Sequence, residues 1–506
     1  MRKQFFKLAM LSLTLLLVGC GKDTEYMNVI PAEAPVVVAF DCEKMAEKCG
    51  LFVNNPSESQ AKIKSDLMNK LSVGQADLFE KILNDPSTSG IDWTQKAYLF
   101  MVPETKLCAV VVSVTDKEKL KFTLEVMGKD DFRGEFHDEN GYTWIQSKDQ
   151  IIAFNDKSCI SVDTGTSKQN KVLKSNIDLW MGQSADKSFV STEYFEKLAD
   201  IKGEVAVLAN LNQLHENISL LKSMVYTGEV DMNDLKYLAG ISFDNGQLAM
   251  EGQLVVEDKK LLDWLSDKKD VFQKISGKTL KKLPSNTPLW CSVGLDGNEL
   301  YNQLLDHPVF GKELKNMRLP FNVEGVVRSI DGDISLGFPI GLFMDVTNDE
   351  LLKVLVGTAK TMGGLLGVSL NEIKEDEYEL DIHRKNMLHL KKMDQQPRLG
   401  MDGNMFYIVS STSNNQELAE ENSLASAPWA DNVKGNLFFG AFSIRHGLDL
   451  FNQYSRSSQK TRQAKQYFDY ITYSQKDIKH NTIVLSFQDK NRNALEQVLE
   501  MAVKRN

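Results

Sequence analysis

Three short stretches carry residue types that could do chemistry. Ser276-Gly277-Lys278-Thr279 ends like a phosphate-binding loop, in which backbone N–H groups curl around phosphate and a lysine reaches its outer oxygens. The curl needs another glycine five residues before Gly277, and Phe272 stands there, so the stretch reads as a linker. His215-Glu216 opens like the helix motif of zinc proteases, but Ser219 occupies the place of the second histidine. His383 and His389 would stand about 20 Å apart on one strand, too far to share a metal. Only a turn through Arg384-Lys385-Asn386 could bring them near each other, and its positive charge opposes a cation. They read as solvent-facing strand histidines.

The acidic run Glu372, Glu375, Asp376, Glu377, Glu379 and Asp381 offers carboxylates for calcium. It lacks the spaced Asp/Asn ligands and glycine that converge in an EF-hand, and reads as a solvated loop and the outer face of a strand. There is no C-x-x-C pair for zinc or redox work and no G-x-S-x-G elbow. Trp93, Trp144, Trp180, Trp264, Trp290 and Trp429 are scattered and read as core or interface residues before sugar platforms. The sequence thus nominates no catalytic, cofactor-binding or metal-ligating residue, and no cofactor is expected.

One cysteine is different. Arg2, Lys3 and Lys7 make a basic start, Leu8 to Val18 is a short apolar run, and Leu17-Val18-Gly19-Cys20 closes it. The run is shorter than a bilayer-spanning helix and has the build of a signal-peptide core. Its ending resembles the lipobox of bacterial lipoproteins, which implies that Cys20 is lipidated and becomes the first mature residue. Removing three cations would take the net charge from −10 to −13. Such an acidic body repels phosphates, so nucleic acid is excluded as a partner. Attachment should rest on the lipid at Cys20 alone. Gly21 stands where inner-membrane lipoproteins of enterobacteria resemble one another in carrying Asp, which points to the outer membrane. Lys22-Asp23-Thr24-Glu25 resembles the acidic surface-export tag of Bacteroides-type lipoproteins, and the facing side stays open. Cys108, Cys159 and Cys291 lie in apolar strand-like runs as small hydrophobes, and no disulfide framework is expected. If Cys42 and Cys49 share one helix, they stand about 10 Å apart, beyond disulfide reach.

The elements behind these residues recur. Val114-Thr115-Asp116-Lys117-Glu118-Lys119-Leu120-Lys121 returns as Val346-Thr347-Asn348-Asp349-Glu350-Leu351-Leu352-Lys353, each a strand end and a helix start that Thr and Glu would close as a capping box. Leu283-Pro284 to Pro288 repeats the proline-flanked entry to the strand Val36–Phe40, and Lys434-Gly435 repeats Lys202-Gly203. Asp41 and Asp296 are expected to cap helices over Cys42–Gly50 and Gly297–Leu305. Hairpins are expected at Tyr98–Val114, at Val323–Phe338 with its turn at Asp331-Gly332, at Tyr237–Val256 and at Tyr470–Phe487. Strand meanders are expected at Tyr142–Val162 and through Tyr378–His383, Met387–Leu390 and Met405–Ser410. Helices should follow from Asp258 and Asn491, the second burying Ala494, Leu495, Val498, Leu499 and Ala502. Hairpins mixed with single helices define an α+β class: two tandem related halves, each a largely antiparallel sheet with packed helices. The expected organisation is a signal peptide at 1–19, a lipidated tether at 20–33, halves at 34–275 and 283–506, and a linker at 276–282.

The lipobox together with Y-x-N-V-I-P-A-x-A-x-V-V-V-x-F-D at residues 26–41 resembles a group of uncharacterised Bacteroides-type lipoproteins catalogued as a domain of unknown function. The resemblance implies export and lipidation and brings no activity, cofactor or catalytic residue. The expected function is a membrane-anchored envelope lipoprotein with a non-catalytic binding or assembly role, its partner another envelope protein or a glycan. Two other readings are a hydrolase of glycan or peptide with carboxylates at the cleft between the halves, and a periplasmic chaperone or docking subunit presenting a sheet edge.

Overall fold

The computed structural model describes residues 24–504 apart from 51–55, 106, 130–131, 133–134, 148, 165–166, 212–234, 308–309, 317–321, 340, 383–395, 411–415 and 455–458. It divides into two compact units: Met1–Asp258 with Asp489–Asn506, and Lys259–Gln488. These limits differ from the sequence boundaries. The chain leaves the first unit before 276–282 and returns to it for its last residues.

The first unit runs β1 (Val36–Phe40), α1 (Cys42–Cys49), α2 (Glu58–Met68), α3 (Val73–Asn84), β2 (Ala97–Met101), β3 (Cys108–Ser113) and α4 (Lys117–Met127). The meander β4 (His137–Glu139), β5 (Tyr142–Gln146), β6 (Gln150–Phe154) and β7 (Ser158–Asp163) follows, then α5 (Ser167–Gly182), α6 (Glu193–Ala199), β8 (Val205–Asn210), β9 (Lys236–Asp244) and β10 (Gln247–Val255). All pairings are antiparallel, in the order β4-β5-β6-β7-β3-β2-β1-β8-β9-β10. One face carries the core, with Val37, Ala39, Phe100, Val111 and Ile160 packed with Trp180 of α5. Asp41 caps α1 through the amide of Lys44, and Gly50 ends it at φ 68°, a left-handed position that glycine adopts without a Cβ clash. Cys42 and Cys49 therefore sit at the two ends of one helix, and both thiols are free.

The repeated V-T-x-x-E-x-L-K stretches do begin helices, but threonine is not the cap. Asp116 accepts from the amides of Glu118 and Lys119 at 3.1 and 3.0 Å. In the second copy Asn348 accepts from the amide of Glu350 at 2.9 Å. Thr347 turns its hydroxyl to the carbonyl of Ser329 instead. An Asp or Asn one residue further along reaches the first free N–H groups directly and displaces the hydroxyl.

The helix Ala494–Lys504 completes the first unit. It buries Ala494, Leu495 and Val503, and with them Glu496 and Gln497, while Ala502 is exposed. Val498 and Leu499 of the expected face are half-buried, and periodicity missed Glu496 and Gln497 because their polar groups are satisfied. Glu496 accepts from the Ser59 hydroxyl at 2.6 Å and from Arg492 at 2.8 Å, and Lys70 donates to the carbonyl of Val503.

The second unit begins with α7 (Lys259–Lys268), the two-residue β11 (Phe272–Gln273), β12 (Leu289–Asp296), α8 (Gly297–Asp306), α9 (Phe310–Asn316) and α10 (Val323–Arg328). It continues through β13 (Ile330–Phe338), β14 (Gly341–Val346), α11 (Glu350–Leu366), β15 (Val368–Lys374), β16 (Glu377–Ile382), β17 (Arg398–Asp402) and β18 (Met405–Val409). It ends with β19 (Phe438–Ser443), α12 (Ile444–Tyr454), α13 (Gln459–Tyr467), β20 (Phe468–Gln475) and β21 (His480–Phe487). The antiparallel order is β15-β16-β17-β18-β14-β13-β12-β19-β20-β21, with β11 against the end of β12. This is the strand order of the first unit, position for position.

One hairpin was misplaced by the sequence. Val323–Arg328 is a helix capped by Asn322, and Asp331-Gly332 lies inside β13. Its pairing with β14 slips between Ile330 and Ile334, so Asp-Gly marks a bulge, and the turn falls between Phe338 and Gly341. Continuous pairing to β12 from Asp331 to Phe338 holds β13 straight where the dipeptide alone would turn it. The expected strand Met387–Leu390 lies outside the described residues.

A chain ending at Gln488 should lose amide protection in α1, α2 and β9 while β12 and β13 keep theirs. Hydrogen exchange of the truncated protein reads this directly, and a loss centred on the second unit would contradict the assignment of the last helix.

Candidate functional site

The loop that looks like a phosphate binder binds an anion of its own. Asp333 on β13 is 2% exposed. It accepts from the Ser276 amide at 3.0 Å, the Ser276 hydroxyl at 2.7 Å and the Gly277 amide at 3.1 Å. Lys278 pairs with Asp345 of β14 at 2.7 Å, and Asp345 in turn accepts from the Asp333 amide at 3.0 Å. Thr279 donates to Ser335, which shares a buried hydrogen bond with Ser292 across β12 and β13. The backbone amides that would cradle phosphate thus hold a carboxylate, and residues 276–282 are packed structure rather than a free linker. Burial raises the Asp345 carboxyl above its ordinary range, against the opposing pull of Lys278.

The other nominated residues do not converge. The acidic run lies on β15, β16 and their turn, where Glu377 pairs with Lys374 and Glu379 lies 4.0 Å from Arg398. Among the described residues no group of three or more His, Cys, Asp or Glu is placed to hold a metal ion. Trp290 and Trp429 stack at 5.8 Å over Phe439 in the core. The Trp144 ring is covered by His137 at 4.6 Å and by Lys174 at 4.2 Å. Burial pushes the Cys42 and Cys159 thiols up to about 12, which keeps them protonated and inert. Cys20, His215, Glu216, Ser219, His383 and His389 lie outside the described residues.

What the structure does assemble is an apolar surface. Register fixes it. On β13, β12, β19 and β20 the side chains of Phe338, Leu289, Phe442 and Ile471 form one row, each opposite the next. Leu336, Cys291, Gly440 and Tyr473 form a second row, and Ile334, Val293, Phe438 and Gln475 a third. No formally charged residue lies in the three rows. The alternate residues Trp290, Phe439 and Ala441 face the core and are fully covered. Their neighbours are not: Leu336 is 46%, Phe338 45%, Ile471 38% and Leu289 37% exposed. α11 packs through Leu352 and Val356 with Phe406 and Leu399, beside Leu342 and Met344 of β14, and so leaves β12 and β13 open. At the other side Gly447 of α12 lies against Phe442, since a Cβ there would meet the ring at 2.2 Å. The result is a shallow apolar trough in the sheet of the second unit. In the first unit the alternate positions Val38, Leu99, Met101 and Val110 are half-buried and none is fully exposed.

The runs Leu289–Val293 and Phe438–Phe442 are apolar at almost every position, as expected of strands covered on both faces. The missed signal was the shortage of helix to cover them. The proline-flanked and Ser-rich segments beside these strands serve one face only.

Fold and surface together define an α+β protein of two antiparallel-sheet units with an apolar trough in the second. The chain belongs to the family described as "Domain of unknown function (DUF4836)", whose model matches residues 26–495. No curated protein matches. Among solved structures it is similar to three crystal forms of TP0453: form IV at 13% identity and TM-score 0.25, covering 45% of this chain and 80% of that one; form I at 14% and 0.26, covering 50% and 89%; and form III at 12% and 0.26, covering 50% and 90%. Likeness at that level bears no argument about this fold. Among the described residues no helix is long and apolar enough to cross a membrane.

The raised Asp345 carboxyl has a signed consequence. The native state binds its proton more tightly than the unfolded chain, so this group's contribution falls as pH rises from the unfolded pKa through the folded one. Asp345→Asn should therefore compare better with the parent protein at pH 7 than at pH 4, measured by urea midpoints at both values.

Proposed function

We propose that this chain is a lipid-anchored protein of the bacterial cell envelope, held by Cys20 at the outer membrane, with a non-catalytic binding role. The trough of the second unit is its binding surface. The observation that carries the reading is the uncharged field of side chains around Leu289, Leu336 and Phe338, where four large apolar residues stand partly in water on adjacent strands. The basic start, apolar run and Leu17-Val18-Gly19-Cys20 support the anchor. The shared strand order, with the repeated Lys-Gly and V-T-x-x-E-x-L-K stretches, supports an origin by internal duplication, with only the second copy's trough left open.

Two experiments test the reading. Cys20→Ala should move the protein from the membrane fraction to the soluble extracytoplasmic fraction, and unchanged fractionation would refute the anchor. Cys291 lies in the trough and is half-buried, as is Cys108 in the first unit, so thiol labelling reports occupancy. Mapped by mass spectrometry, Cys291 should alkylate several-fold more slowly in envelopes than in the purified protein, with Cys108 as the internal reference. Equal rates in both settings would remove the trough as a binding surface.

A further inference from the structure

Resting on the binding reading above, we infer that the occupant of the trough is a single hydrocarbon chain of a lipid rather than a protein partner. Size is the first argument. The rows continue onto β21 as Leu485, Ile483 and Asn481, so five strands spaced about 4.8 Å apart and three rows about 7 Å apart give a field of roughly 19 Å by 14 Å, on the order of 270 Å². A stable protein partner covers about 800 Å² on each side. The field is several times too small for a second copy of this chain and suits one extended alkyl chain.

Chemistry is the second argument. A peptide laid in the trough would bury backbone N–H and C=O groups, and these need partners. The strands beneath already spend their own backbone groups on one another, since β12 is paired on both sides. The three rows offer almost only carbon, the Cys291 thiol and the polar ends of Tyr473, Gln475 and Asn481. Tyr473 already bonds to both of the others. A hydrocarbon asks for no hydrogen bond and leaves none unmade.

Shape is the third argument. Gly440 sits in the middle row between Cys291 and Tyr473, where any side chain would fill the floor. A Cβ added there would stand 3.4 Å from the Phe438 ring and 3.7 Å from the Cys291 Cβ, so a side chain would be accommodated. Its absence leaves a dip across the strands, closed at one end by α12 on Phe442. A headgroup would remain in water, and its identity is not read by the trough.

The test uses the purified full chain and parinaric acid, a fluorescent polyene fatty acid. Saturable binding of one probe per chain is expected. Straight-chain alcohols should displace it with an affinity rising about three- to fourfold for each methylene added, until the trough is filled. Leu336→Glu places a charge on an exposed position and should weaken binding at least about tenfold without shifting the unfolding midpoint. Gly440→Val keeps the surface apolar but fills the dip, and should weaken binding similarly. Phe122→Glu, at an exposed position of the first unit, should leave it unchanged. Absence of saturable binding, or equal binding by Leu336→Glu, would overturn the inference. So would a dimer in sedimentation that Leu336→Glu dissolves, which would make the trough a protein interface. If Cys291 is shielded in envelopes yet no chain binds, only this inference fails; if Cys291 is unshielded, the binding reading fails with it.

Discussion

The pleat of a β-strand is the constraint from which the rest of the second unit follows. Successive side chains must point to opposite faces, so a strand that commits Trp290 to the core commits Leu289 and Cys291 to the other side. β12 lies between β13 and β19, and its register passes that choice to both neighbours. Once Trp290 and Phe439 stack with Trp429, the rows on the far face are fixed without any interaction of their own. A slip of one residue would exchange the two faces, turning Leu336 and Phe338 inward and bringing the buried Ser335 out, so the core secures the trough's composition.

The same sheet is fixed along its length by an ionic device. Asp333 and Asp345 lie on adjacent strands at the β13 bulge, and a carboxylate buried there is tolerable only with donors supplied. The Ser276-Gly277 amides, the Ser276 hydroxyl and Lys278 supply them. At Gly332, with φ at 125°, the backbone passes so close to Asp345 that a Cβ would lie 2.8 Å from its oxygen. A segment that reads as a spacer therefore locks the register of the strand that carries Leu336 and Phe338.

Much of this was legible in the sequence because local physics decided it. Asp41 and Asp296 cap their helices as expected, and the meander at Tyr142–Val162 and the hairpins at Tyr237–Val256 and Tyr470–Phe487 fall within a residue or two of their expected limits. Residues went wrong where a distant partner outweighed a local preference. Asp331-Gly332 is a turn by propensity and a bulge by pairing, and Ser276–Thr279 is a linker by composition and a donor loop by contact. β15 and β17 went unread because neither alternates cleanly: Asn371–Lys374 is exposed on both faces of β15, and Gly400 interrupts β17. The trough was the least legible feature: a fully apolar strand says that both faces avoid water, and nothing in it says whether protein covers both.

The helix Ala494–Lys504 belongs to the first unit although about 240 residues separate it from the strands at Lys236–Val255. Chains build their domains as they emerge, N-terminal first. Here the earlier unit is completed by Ala494–Lys504 only after all of Lys259–Gln488 has been made. The two units are therefore finished in reverse: the one started first is sealed after the other, and a chain cut before Ala494 leaves α1 and α2 without their lid.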